Sequence, residues 1–123
     1  MASFRYIVSD VDASVSFYCR LLGFSLKQQF GPAMAIVKFG ELEVWLAGPA
    51  ASASKPMPDG RQPEPGGWAR IVVPVDDIDA AVAALTSAGT KFRNQIVSGP
   101  GGQQILCEDP SGNVIELFQA ADK

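Results

Sequence analysis

Val8-Ser9-Asp10-Val11-Asp12-Ala13-Ser14-Val15 returns 67 residues later as Val75-Asp76-Asp77-Ile78-Asp79-Ala80-Ala81-Val82. Five of the eight positions are identical, and a sixth exchanges Val11 for Ile78. An apolar run leads into each copy, an amphipathic stretch leaves it, and a glycine follows that stretch (Gly23, Gly89). Self-similarity at a fixed offset sets the architecture before any local detail does. Two copies make a duplicated module, not a solenoid.

Around the first copy, residues 4–8 read as a strand, and Asp10 or Asp12 can accept from the free first-turn amides of a helix. Val11, Val15, Tyr18 and Leu22 recur at helical spacing and form one apolar face. Gly23 ends the helix with a left-handed residue. Residues 24–30 read as a strand and Gly31-Pro32 as a turn. Residues 35–39 and 42–47 form a hairpin about Gly40-Glu41. Around the second copy, residues 68–75 are a strand, and Asp76 or Asp77 caps a helix whose apolar face is Ile78, Val82 and Leu85. Residues 91–97 and 103–108 are strands flanking a turn at 98–102. Asp109-Pro110-Ser111-Gly112 is a β-turn sequence, and residues 114–118 are the last strand. Each module therefore reads β-α-β-β-β, and the fold class is α+β.

The 123 residues fit one ordinary domain. A half of about 60 residues is too small to bury much core, so the halves are expected to share one fold. The expected division is module one at 1–47, a loop at 48–67, module two at 68–119 and a polar tail at 120–123. The loop carries five Pro and four Gly. A structureless stretch of this length either borders a ligand site or simply connects. Net charge is −3 with no basic cluster, which argues against a nucleic-acid partner. No apolar run is long enough for a bilayer and no signal-like start is read, so no membrane partner is expected. Cys19 and Cys107 stand alone and read as reduced, mostly buried thiols of a cytoplasmic protein. There is no histidine. Ser/His/Asp and Cys/His catalytic sets are therefore excluded.

Several pieces in combination carry a resemblance. They are the two modules, the Val-x-Asp lead into helix one, Phe17-Tyr18 within it and Leu22-Gly23-Phe24 after it. Asp109-Pro110-x-Gly112-Asn113-x-Ile115-Glu116-Leu117 completes the set. Together they resemble the vicinal oxygen chelate superfamily, which includes glyoxalase I, extradiol dioxygenases, fosfomycin-resistance enzymes and bleomycin-binding proteins. The resemblance covers nearly the whole chain. It implies a U-shaped, incompletely closed mixed sheet with helices outside, a small-molecule ligand in the concave groove, and a homodimer.

Alternation then assigns faces, because successive side chains of a strand point to opposite sides. Ile71, Val73 and Val75 face the helix, leaving Arg70, Val72 and Pro74 concave. Phe4, Tyr6 and Val8 leave Ser3, Arg5 and Ile7. Leu42, Val44 and Leu46 leave Glu43, Trp45 and Ala47. Ile115 and Leu117 leave Val114, Glu116 and Phe118. Metal-dependent relatives place ligands at four such positions, which fall here on Ser3, Trp45, Arg70 and Glu116. Only Glu116 is a plausible ligand, since Trp offers none and a permanent cation repels a metal. No metal and no cofactor are expected. An Arg70–Glu116 ion pair is the expected replacement. A carboxylate set drawing on Glu43, Glu108 or Cys107 is the remaining way to hold a metal.

The expected function is small-molecule binding without metal, similar to bleomycin-resistance-like binding proteins. Arg5, Arg70, Glu116 and Glu43 are the polar candidates, and Trp45 and Phe118 the apolar ones. Trp45 and Phe118 can stack on a planar ligand or fill the groove as core. One alternative is a glyoxalase-like lyase or isomerase, with Glu116 as catalytic base and Arg70 in place of the metal. Another is a non-catalytic dimeric interaction module. Trp68 reads as a packing anchor, and Arg61 and Arg93 as solvated charges. Gly99-Pro100-Gly101-Gly102 lacks the strand–loop–helix setting of a phosphate loop.

Overall fold

The computed structural model of the chain describes residues 2–122. Strands β1 (Phe4–Ile7), β2 (Ser25–Phe30), β3 (Met34–Phe39) and β4 (Leu42–Ala47) form one four-stranded sheet in the order β1-β4-β3-β2. Strands β5 (Ile71–Pro74), β6 (Val97–Gly99), β7 (Gly102–Glu108) and β8 (Val114–Ala120) form a second, ordered β5-β8-β7-β6. Helix α1 (Val11–Ser16) follows β1 and helix α2 (Ile78–Ser87) follows β5. The two modules thus share one topology: the β1–β4 and β5–β8 pairs are parallel and every other pair is antiparallel. The α+β class and the duplicated β-α-β-β-β plan hold. Among the described residues no helix is long and apolar enough to cross a membrane.

The chain divides into two compact units. The first holds the chain to Gly66 together with Pro110–Asn113. The second holds Gly67–Asp109 and the chain from Val114.

In the first unit Asp10 caps α1, its Oδ1 accepting from the Ala13 amide at 3.1 Å. The helix buries Val11 and Ser14, whereas Val15 is only half-buried. Its continuation through Phe17–Leu21 is a π-helical turn. The wider turn rotates the register, so Phe17 joins Tyr18 inside. Tyr6, Phe17, Tyr18, Phe24 and Phe39 form a chain of ring contacts with centroids 5.2–6.2 Å apart. Gly23, at φ 79°, ends the helix, and the Phe24 amide returns to the Tyr18 carbonyl. Pro110–Asn113, from the Asp109-Pro110-x-Gly112-Asn113 turn, also belong to this unit. Asn113 Nδ2 donates to the Ile7 carbonyl at 2.8 Å, and Asn113 Oδ1 accepts from the Gly66 amide at 2.9 Å. Ser111 Oγ accepts from the Ser9 amide.

In the second unit Asp77, not Asp76, caps α2 by accepting from the Ala80 amide. Gly89 ends it at φ 84°. Here the core is aliphatic: Ile71, Val73, Ile78, Leu85, Ile105 and Leu117 are buried. Three expectations are corrected. The strand expected over 68–75 starts only at Ile71, because the Gly66-Gly67 pair takes positive φ and residues 68–70 stay irregular. The strand expected over 91–97 is not formed. Residues 91–96 are tied to β7 by one Phe92–Cys107 bridge and by Asn94 Oδ1, which accepts from the Leu106 amide. That side chain takes the place of a backbone ladder, and pairing resumes as β6 inside the stretch expected to be a turn. The last strand runs past 118 to Ala120.

Candidate functional site

The alternation that assigned the faces is largely realised. On β1, Tyr6 is buried and Arg5 exposed. On β5, Ile71 and Val73 are buried and Val72 exposed. On β4 and β8 the opposite face is partly covered as well, since Ala47, Val114 and Glu116 are also buried.

In the first unit, strand register sets Arg5 beside Trp45. The Arg5 guanidinium carbon lies 5.1 Å from the Trp45 ring centroid, a cation–π contact. Trp45 Nε1 donates to Glu43 Oε1 at 3.3 Å, and Lys27 Nζ donates to Glu43 Oε2. Those two bonds, Lys27 first, hold the Glu43 carboxyl below its ordinary range. Glu43 is therefore committed to neighbours within its own unit. Arg5 meets no carboxylate and no hydrogen-bond acceptor among the described residues. It lines two cavities. One, of about 460 Å³, is bordered by Ser3, Phe4 and Trp45. The other, of about 300 Å³, is walled by Phe30, Ala33, Met34, Ala47 and residues 50–53. The start of the Pro/Gly-rich loop thus borders a cavity.

In the second unit the expected ion pair is present. Arg70 Nε and Nη2 both donate to Glu116 Oε1, at 3.1 and 3.0 Å, and Arg70 Nη1 donates to the Trp68 carbonyl at 3.3 Å. The Glu116 side chain is 11% exposed and that of Arg70 30%. The second carboxylate oxygen of Glu116 takes no hydrogen bond among the described residues. Phe118 is half-buried, and a Cβ added at Gly101 would just meet its ring tip, at 4.0 Å.

As a donor set, Ser3, Trp45, Arg70 and Glu116 do not fit a divalent cation. One carboxylate is the only anionic donor, and a guanidinium already holds it. Among the described residues no three His, Cys, Asp or Glu side chains come together as a metal-ligand group. Glu108 pairs with Arg93 at 2.9 Å. Cys107 is buried, and that burial, with Asp109 beside it, pushes its thiol up to about 12. Cys19 is half-buried, and burial raises its thiol too.

Two readings are corrected here. Arg93 is no solvated charge: besides Glu108 it donates to the Gly67 carbonyl at 2.7 Å and lies 4.6 Å over the Trp68 ring. Trp68 is 67% exposed, so it is not a buried anchor; the Arg93 guanidinium covers one of its faces. Neither contact has a periodic signal, because 91–96 and 68–70 lie outside strands. Arg61 is exposed as expected, with Asp59 as its local partner. The Ser111 and Asn113 contacts were hidden inside a motif that reads only as a turn.

A family model described as the Glyoxalase/Bleomycin resistance protein/Dioxygenase superfamily matches residues 1–117. An uncharacterised protein of Escherichia coli (strain K12), YaeR, is 33% identical over 117 residues, covering 92% of this chain and 90% of that protein. The crystal structure of TnmS3, an antibiotic binding protein from Streptomyces sp. CB03234, is 25% identical with a TM-score of 0.67, covering 98% of this chain and 97% of that one. Lactoylglutathione lyase from Agrobacterium tumefaciens shares the fold, with a TM-score of 0.74 at 18% identity and coverages of 97% and 92%.

Proposed function

The chain belongs to the Glyoxalase/Bleomycin resistance protein/Dioxygenase superfamily, and on that footing we propose that it is a metal-independent binder of a small organic molecule. The observation that carries the proposal is the Arg70–Glu116 pair, which stands where metal-dependent relatives are expected to place ligands. A buried carboxylate needs a counter-charge, and a guanidinium supplies it with two directed bonds where a metal would otherwise sit. The open oxygen of Glu116 stays available to accept from a ligand hydroxyl or amide. Arg5, Glu43 and Trp45 are the proposed contacts in the first unit, and Arg70, Glu116 and Phe118 in the second. Likeness to an antibiotic binding protein supports sequestration over turnover. A homodimer in the cytoplasm is the proposed setting.

A thermal-shift screen of aromatic and carbonyl-bearing small molecules, run with and without a chelator, tests this. Stabilisation that ignores the chelator and is lost in Glu116→Gln is expected. Calorimetry with Ni, Zn, Mn and Fe(II) is the counter-test: stoichiometric micromolar binding abolished by Glu116→Gln overturns the proposal.

The same open oxygen favours a second reading, in which Glu116 removes a proton from a carbon acid and Arg70 steadies the enolate. Deuterium exchange into α-hydroxy or keto compounds separates the two, since a pure binder gives none above background.

A further inference from the structure

Arg5 differs from the arginines that line or neighbour the other candidate residues. Arg70 holds Glu116 and Arg93 holds Glu108. Arg5 has an aromatic ring beneath it and no anion among the described residues. A guanidinium resting on an indole is held in place while its fork of N–H donors stays open. That fork matches a carboxylate, which it can bind through two parallel hydrogen bonds.

Beside it lies the cavity of about 300 Å³. Among the described residues Arg5 is the only charged side chain lining it. The remaining wall is almost wholly apolar, with Phe30, Met34 and several alanines, and one hydroxyl, Ser52. The wall contributed by the loop is built in advance. The Gly48 amide bonds the Ala33 carbonyl at 2.8 Å, Ala51 bonds Gly48, and Ser54 Oγ donates to the Gly48 carbonyl at 2.7 Å. A Cβ on Gly48 would come within 2.7 Å of Val11 and 2.8 Å of the Pro32 carbonyl, so this closure needs glycine. A preformed apolar pocket with one placed polar group selects by shape and by that group. At roughly 30 Å³ per water-sized group, the volume takes on the order of ten non-hydrogen atoms.

The geometry points to a small amphipathic monocarboxylate as the ligand class of the first unit. Its carboxylate pairs with Arg5, and its apolar chain lies against Phe30, Met34 and the alanines. This rests on the binding function proposed above and narrows its chemistry. Titration calorimetry on the full chain, with octanoate, butanoate, octan-1-ol and octylamine as probes, tests it. Octanoate is expected to bind at one per chain, with octan-1-ol weaker by about tenfold or more, as loss of a charged hydrogen-bonded pair implies. Arg5→Gln, a change at an exposed position, should weaken octanoate by a similar factor and leave octan-1-ol unchanged. Ala53→Leu, which narrows the cavity, should erase the preference for octanoate over butanoate. Equal binding of octan-1-ol and octanoate, or octanoate binding that survives Arg5→Gln, overturns the assignment. If octanoate fails while the thermal-shift screen still yields a ligand lost in Glu116→Gln, the carboxylate class falls and the binding function stands. If both fail, both fall.

Discussion

At one pairing position the two modules carry different chemistry. Arg5 lies across from Trp45 where β1 meets β4, and Val72 lies across from Glu116 where β5 meets β8. The framework around that position is repeated closely. Val8 and Val75 donate to the carbonyls of Ala47 and Phe118 at the same 2.9 Å, and Asp10 and Asp77 cap the helices that follow. Below the sheets the modules part again, with aromatic rings packed in the first and aliphatic side chains in the second. Duplication has therefore kept the backbone and released the side chains. One module neutralises its arginine internally, and the other leaves Arg5 with a ring contact and no anion among the described residues.

The largest effect that can break this contrast lies in the two cores. Tyr18→Ala removes the ring at the centre of the aromatic chain and should cost about 3–5 kcal/mol, against about 2–4 for Leu85→Ala. Denaturant unfolding measures both, and a larger loss for Leu85 would deny the aromatic cluster its central place. Next come the arginines. Glu116→Leu leaves the partly covered Arg70 without its counter-charge and should cost about 2–3 kcal/mol after allowance for solvent screening. Most of this should return when Arg70→Met is added, because the stranded charge goes with it. Arg5→Met should stay within about 1 kcal/mol, as it gives up only a ring contact. Equal losses at Glu116 and Arg5 would erase the distinction between a satisfied and an open arginine. Third, Asp10→Ala and Asp77→Ala should each cost about 1 kcal/mol, the worth of an N-cap. A clear difference in Tm between them would show that the repeated caps are not equivalent.

The smallest effect concerns the thiols and is a rate. Cys19 should alkylate before Cys107, as read by mass spectrometry at pH 8, because only Cys19 is partly accessible. Burial raises the folded Cys107 thiol from an ordinary value to about 12. The stability tied to its neutral form is thus fully present below the ordinary thiol range and declines as pH climbs from there towards 12. Labelling of Cys107 at pH 8 that matches Cys19 would remove this difference.

Most of the fold was legible because the doubled stretch fixed the topology and alternation fixed the faces. Tyr6, Val44, Ile71 and Leu117 all lie inside as their positions require. The irregular segments were not legible. Asn94 substitutes a side-chain acceptor for a strand partner, and no periodicity marks such an exchange. At the candidate site, Arg70 and Glu116 could be paired because the resemblance brings their two positions together and their charges are opposite. Arg93 could not, since its partners Glu108, Gly67 and Trp68 meet it only through a stretch without regular structure. The alanine-lined cavity beside Arg5 was hidden for another reason: small apolar side chains in a Pro/Gly-rich loop carry no periodic signal that says which of them line a wall.

The placement of Asn113 has a consequence in time. Its amide joins the Ile7 carbonyl to the Gly66 amide, so the first unit draws two of its bonds from a turn that lies 47 residues beyond Gly66. A ribosome delivers β1 through β4 long before that turn. The emerging first module must wait for nearly all of the second to be made before those hydrogen bonds can close.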